Sequence, residues 1–353
     1  MRSESLDTDV AARADTELKL YLREYYGRHL KRTEDLTTNA CCAASTAARF
    51  PEIVRLIPAE VKDRNYGCGC SIPDDDLDGL TVLDLGSGAG LDAFIVSRLV
   101  GPRGRVIGVD MTEEQLDVAR RNVPTVTTAF GLEQPNVEFH EGFIETLETI
   151  ESNSVDLVIS DCVVNLSPRK DRVFAAIWRV LKDGGEFYIS DIVADRRVPT
   201  RLGEDALLVA ECLGGALYEH DLRDVVEDAG FLDPRQVCRS LVEQDVAGEP
   251  IRFYSTTFRG FKFEQPLDRR CEDYGQSATY QGNCRGHEAR FHLDEHHEFE
   301  RDRPIAVCRN TARLLADTRL ERYFDVTAPR QHFGPFPCGP QPGRDDTSGE
   351  PCC

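Results

Sequence analysis

Long apolar runs are missing from this 353-residue chain. No stretch approaches the roughly 20 apolar residues that a membrane-spanning helix needs. The opening residues, MRSESLDTDVAARADTELKL, are acidic where an export signal has its apolar core. Neither membrane insertion nor export is therefore expected, and the expected location is cytoplasmic. Positive charge is also in deficit: Lys and Arg total 42 against 62 Asp and Glu, a net charge of −20. A surface of that sign repels phosphate backbones, so nucleic acid is not an expected partner. The paired CxxC spacing of a zinc ribbon is absent too, although the chain has 13 cysteines. In a chain this long with no export signal, the expectation is reduced thiols, available to soft metals, metalloids or redox chemistry.

What is present is a globular composition, with 41% hydrophobic and 29% charged residues. The length implies one large domain with smaller appendages. From Leu80 onward strands alternate with amphipathic helices: TVLDLG, RVIGVD, NVEFHEG, VDLVISD and EFYISDIV read as strands. LDAFIVSRLV, TEEQLDVARRNV and RVFAAIWRVLKDG read as the helices among them. That alternation predicts an α/β fold, a mostly parallel Rossmann-like sheet with helices on both faces. Residues 202–230 read as helical, interrupted by Gly214 and Gly215, and IRFYSTTFRGFKF as a further strand. The region after Cys271 reads as a small α+β domain, and the Pro- and Gly-rich end as a disordered tail.

The segment Asp84-Leu85-Gly86-Ser87-Gly88-Ala89-Gly90 sets a glycine-rich turn between a strand and a helix. Glycine is needed there because the backbone turns sharply and must approach a ligand closely. The next strand ends in Asp110, which can accept hydrogen bonds from ribose hydroxyls. A dinucleotide enzyme would carry similar glycines. The whole pattern, DxGxGxG with an acid closing the second strand, resembles the class I S-adenosylmethionine (SAM) methyltransferases. That resemblance makes SAM the expected methyl donor. It assigns Tyr66, Asp84, Gly86, Ser87, Gly88, Asp110, Met111, Ile144 and Glu145 to its binding. Tyr66 is equally readable as a packing aromatic of a lid loop.

Ligands of such sheets bind beyond the carboxyl ends of the strands. Cys162 follows the fourth strand, Cys212 lies on or near a helix able to cap the same crevice, and Cys68 sits in a glycine-flanked loop. A buried cysteine is often only a small hydrophobe. Three from separate segments suit a trigonal thiolate site for a soft centre better than a tetrahedral zinc site.

The segments TTNAC, NYGCG, VLDLGSGAGLD, SDCVVNLSP and AECLGGALY together resemble the arsenite methyltransferase family. The resemblance implies that Cys68, Cys162 and Cys212 bind As(III). It gives Cys41 a part in thiol–disulfide chemistry, paired with Cys68, with thioredoxin or glutathione as reductant. It divides the chain into a helical, cysteine-containing segment 1–75, a SAM-binding domain 76–225 and a continuation of the arsenic-binding region 226–263. A C-terminal domain, 264–328, and a cysteine-containing tail, 329–353, follow. Cys42 and Cys70 are extra thiols able to stand in for Cys41 and Cys68. Glu211 reads as a solvated or helix-pairing charge. Cys284, His287, His292, His296, His297 and Cys308 are residue types that ligate zinc.

Overall fold

The computed structural model describes residues 14–38, 46–246 and 248–337. Its main sheet is built from β1 (Thr81–Leu85), β2 (Arg105–Asp110), β3 (Val137–Glu141), β4 (Val155–Asp161), β5 (Leu181–Ala194), β6 (Leu217–Tyr218), β7 (Arg235–Val242) and β8 (Phe253–Phe261). The strand order is β3-β2-β1-β4-β5-β8-β7, with the short β6 added to the end of β5. Strands β1 to β6 pair in parallel, while β8 runs antiparallel to β5 and β7 antiparallel to β8. The order reverses between β1 and β4, and a crevice opens beyond their carboxyl ends.

Alternation along β1 feeds both faces. Val82 joins a core with Phe94, Leu116 and Phe139, while Leu83 and Leu85 join one with Phe174, Ile177 and Phe187. Flanking helices are α1 (14–24), α2 (Leu91–Val100), α3 (Glu113–Ala129) and α4 (Lys170–Val180). Helix α3 does not stop where TEEQLDVARRNV ends but runs through Pro124 to Ala129. Its apolar face, Leu116, Ala119, Val123, Val126 and Phe130, continues at helical spacing into the core. That packing offsets the N–H that proline lacks.

Two further differences from the sequence expectation matter. Strand β5 begins at Leu181, so LKDGG opens a strand rather than closing a helix. Strand β7 has no sequence signal: its RQVCRSLV is largely half-buried, with a bulge between Gln236 and Cys238. The helical region 202–230 is broken around Gly214 and Gly215, as expected. Short turns at Thr200–Gly203 and Ala206–Ala210 (α5) give way to an irregular segment, then to α6 (Glu219–Asp228). The backbone crowds there: a Cβ on Gly215 would lie 2.0 Å from the Asn165 carbonyl oxygen.

The C-terminal region is α+β. Strands β10 (Gln276–Tyr280), β13 (Pro304–Val307) and β14 (Phe324–Val326) form one sheet, and β11 (Arg290–Asp294) and β12 (His297–Glu300) a hairpin. Helix α7 (Arg309–Ala316) covers a core of Tyr280, Phe291, Phe299 and Phe324. The expected tail begins too early at 329. Strand β15 (Gly334–Pro335) pairs with β9 (Glu272–Asp273), so this part of the tail is sheet. A buried ion cluster joins the C-terminal region to the main sheet. Glu186, on β5, lies 2.6 Å from Arg259 and 2.6 Å from Arg319, which also pairs with Asp75. Opposite charges and hydrogen bonds offset the desolvation of that carboxylate, and removing one partner would leave it uncompensated.

Candidate active site

A cleft of about 1030 Å³, partly open to solvent, lies at the switch point. All nine residues expected to bind the methyl donor line it: Tyr66, Asp84, Gly86, Ser87, Gly88, Asp110, Met111, Ile144 and Glu145. Gly88 has φ +50° and nothing within 4 Å of where a Cβ would point, so a bare backbone faces the cleft. The Asp110 carboxylate accepts the Gly88 N–H at 2.9 Å and the Thr112 N–H at 2.8 Å, one on each oxygen. It therefore braces the glycine turn, and each oxygen retains a lone pair for a hydroxyl. Glu145 is already paired, with Ser167 at 2.8 Å and Lys19 at 2.9 Å.

The cleft also holds buried polar atoms without a hydrogen-bond partner: Asp84 Oδ2, Ser87 Oγ, Asp92 Oδ1 and Gln115 Oε1. Burial, reinforced by the charges of Asp92 and Asp110, pushes the Asp84 carboxyl well above the usual range. Burial, then the Cys70 sulfur, pushes Asp92 up to about 7. Orphaned acceptors beside an open glycine cradle fit a ligand with hydroxyls and positive charge. SAM, with ribose, ammonium and sulfonium groups, is such a ligand.

At the far end of the cleft the lining includes Cys162. Cys162 also packs with Cys68 and Cys212 in a buried apolar cluster that includes Ile192, Leu213 and Phe253. Cys212 Sγ donates to the Cys162 carbonyl at 3.0 Å. The sulfurs of Cys162 and Cys212 and the Asp191 carboxylate lie within 4.8 Å of one another, all buried. Cys162 and Cys212 have φ +59° and +64°, a left-handed backbone uncommon for residues with a Cβ. The expectation of free thiols meets an exception here, because Cys68 and Cys162 are joined as a disulfide with Cα atoms 5.7 Å apart. Cys162 is thus the partner of Cys68 here, and Cys41 and Cys42 lie outside the described residues.

Two carboxylates that the sequence expectation did not assign to the site, Asp161 and Glu211, organise the surroundings of these cysteines. Asp161 Oδ1 accepts the N–H groups of Cys68 (2.9 Å) and Gly69 (3.2 Å), clamping the Cys68 loop to the end of β4. A Cβ on Gly67 would lie 2.1 Å from that carboxylate, so the clamp requires glycine. Glu211 is not solvated; it is fully buried. Its Oε1 accepts Tyr25 Oη (2.8 Å), Thr37 N–H (2.8 Å) and Thr37 Oγ1 (2.6 Å). Although burial opposes it, these donors hold its carboxyl below the usual range. Helix α1 and the turn after it thus strap across the cleft: Leu22 and Tyr26 line it, and Arg23 pairs with Glu141. A glutamate beside a cysteine and a tyrosine 186 residues away carry no local signal that they meet.

Cys70 does not join the thiol cluster. It is buried in the opposite core, its sulfur accepting from Arg49 at 3.2 Å. The zinc-type residues are dispersed as well. Cys284 is buried against Tyr280, with its thiol pushed up to about 11, and His297 pairs with Asp294. Among the described residues no group of three from this set converges.

Sheet order, glycine cradle and acid-lined cleft define a SAM-dependent methyltransferase, and residues 76–230 match the methyltransferase domain profile. Residues 274–347 match the arsenite methyltransferase C-terminal domain. Arsenite methyltransferase of Aquipseudomonas alcaligenes is 44% identical over 90% of this chain and 94% of its own. The human arsenite methyltransferase is 37% identical over 89% and 85%. The crystal structure of an arsenic(III) S-adenosylmethionine methyltransferase from Chlamydomonas reinhardtii aligns with TM-score 0.78 and 40% identity, over 81% of this chain and 98% of that one. The chain belongs to the arsenite methyltransferase family.

Proposed function

We propose that the protein methylates As(III), held by the reduced thiolates of Cys68, Cys162 and Cys212. The observation that carries this reading is that Cys162 lines the methyl-donor cleft and also belongs to the buried cluster that holds Cys68 and Cys212. Bound SAM supplies an electrophilic methyl group on a positively charged sulfur. Arsenic bound to three sulfurs keeps a lone pair. That pair forms the As–C bond as the C–S bond breaks, its electrons returning to the donor sulfur. No general base is needed, and the protein's contribution is alignment, worth on the order of 7–11 kcal/mol for well-oriented reactants. The Tyr66 ring, at the cleft wall, suits a cation–π contact of about 0.5–2 kcal/mol to the sulfonium.

The lone pair given to carbon leaves arsenic oxidised by two electrons. Two cysteine thiolates restore them by pairing as a disulfide, and a small thiol or thioredoxin-type reductant reopens it. The Cys68–Cys162 bond is a disulfide of the kind this cycle requires. Cys41 takes part as an exchanging thiol, the chain being tethered by Glu211 at Thr37, four residues upstream. The setting is cytoplasmic, where such reductants are present; no helix among the described residues is long and apolar enough to cross a membrane.

The test is incubation with arsenite, SAM and a thiol reductant, followed by arsenic speciation. Methylated arsenic made by the wild type and absent with Cys162→Ser is the expected result. A folded, SAM-binding protein that yields none would overturn the proposal.

A further inference from the structure

Cys162 and Cys212, the two cysteines with left-handed backbones, lie on separate segments, and one buried side chain joins those segments. Asn165 sits in the short turn Val164–Leu166 that follows Cys162. Its amide nitrogen donates to the Ile192 carbonyl on β5 at 2.6 Å and to the Cys212 carbonyl at 3.3 Å. Both partners are acceptors, so the position calls for two N–H donors on one atom, which an amide has and a hydroxyl or carboxylate lacks. The Asn165 backbone N–H is held in turn by Asp191 Oδ2 at 3.0 Å, and the other Asp191 oxygen accepts the Ile192 N–H at 2.8 Å. Gly215 passes so close that a Cβ there would lie 2.0 Å from the Asn165 carbonyl oxygen. Asn165 thus brackets the end of β5, the Cys162 turn and the Cys212 segment at one point.

A second tie between the two cysteines is temporary. Cys212 Sγ donates its S–H to the Cys162 carbonyl at 3.0 Å, and that bond is given up once the sulfur is bonded to arsenic in place of hydrogen. The Asn165 bracket involves no sulfur and persists. We propose that Asn165 is a positioning residue for arsenic binding: it keeps the Cys212 segment beside the Cys162 turn, so that both sulfurs reach the same arsenic atom as Cys68. This inference rests on the three-thiolate reading above. Ligands already held in place cost less to order when the arsenic arrives. Asn165 does not itself line the methyl-donor cleft, so its contribution should be confined to the arsenic side.

The test is X-ray absorption at the arsenic edge on the reduced full-length protein with arsenite and no SAM, which counts the sulfurs around arsenic. Arsenite and SAM affinities are measured beside it by calorimetry. The wild type should show three sulfurs. In Asn165→Ala one of them should be replaced by oxygen, and arsenite affinity should fall by about tenfold to a hundredfold, as when a buried hydrogen-bonding group is removed. Asn165→Ser keeps one donor, so it should fold even where Asn165→Ala does not, with an arsenite affinity between the other two. SAM affinity should stay within about twofold in both variants. Three sulfurs with unchanged arsenite affinity in a folded variant would overturn the proposal, as would equal losses of arsenite and SAM affinity, the sign of a general loosening. A wild type that does not place three sulfurs on arsenic would overturn the three-thiolate reading itself, and this proposal with it.

Discussion

The cleft and the thiol cluster adjoin at Cys162 but are built by opposite strategies. The cleft is local: Asp84 to Asp92 is one continuous strand, turn and helix start, and Asp110 reaches back from the next strand to brace it. The cluster is assembled from sequence positions 68, 162 and 212, brought together by the ends of β4 and β5 and by a clamp from Asp161. A local site is positioned by its own backbone. An assembled site depends on side chains that hold loops in place, and those holders should be where it fails.

The sharpest separation is expected from Cys212→Ser. Cys212 does not line the cleft. Arsenite methylation should fall by at least about a hundredfold, with one of the three soft ligands replaced by an oxygen. SAM affinity, measured by calorimetry, should stay within about twofold. Equal loss of both would mean that the two regions are one cooperative unit.

Glu211 is where the comparison should break. Its carboxylate holds both the Tyr25 hydroxyl of the strap over the cleft and Thr37 of the segment leading to Cys41. Glu211→Gln removes a charged acceptor from a buried network, a change worth about 1–3 kcal/mol. Methylation rate and SAM affinity should both drop, each by roughly tenfold. A loss confined to arsenite turnover would show that the strap and the thiol cluster are not linked through this residue.

The contrast also explains what the sequence made legible. Strand–helix alternation and the glycine turn are properties of short windows, so β1 to β4 could be read directly, and the nine residues expected to bind the methyl donor all line the cleft. Cys162 and Cys212 were legible because their segments follow recognisable elements. Glu211 and Asp161 were not, since their importance lies in partners 174 and 93 residues away. Strand β7 was hidden for a different reason: as an edge strand of mixed burial it lacks the alternation that marks a half-buried strand.

Within the cleft, Asp92 offers a test by pH. Its folded value of about 7 lies above the ordinary 3.8. Below 3.8 the group is neutral in both states and carries no penalty; stability is lost progressively as pH rises through about 7, where a buried charge forms. A cationic methyl donor has the opposite preference, because it favours the ionised carboxylate. SAM affinity should therefore improve by up to about tenfold between about pH 6 and pH 8, and Asp92→Asn should flatten that profile. A profile unchanged by the substitution would place the titrating group elsewhere.

The smallest expected effect is the most discriminating for the thiol cluster. In sequence, Cys70 is the natural substitute for Cys68, since only Gly69 separates them. In the fold they diverge: Cys68 enters the cluster with Cys162, while Cys70 enters the core beneath Asp92 and contacts Arg49. Swapping them would require the loop to rotate, yet the Asp161 clamp grips the N–H groups of Cys68 and Gly69, and a Ser255 hydroxyl holds the Cys68 carbonyl at 2.8 Å. Cys70→Ser should thus leave arsenite methylation within about twofold of wild type, with a stability cost of about 1 kcal/mol for the altered buried contact. Cys68→Ser should be as inactive as the Cys68→Ser/Cys70→Ser double variant. Residual activity in the single variant that vanishes in the double would mean the loop can shift by two residues, and that the clamp does not fix which thiol reaches the arsenic.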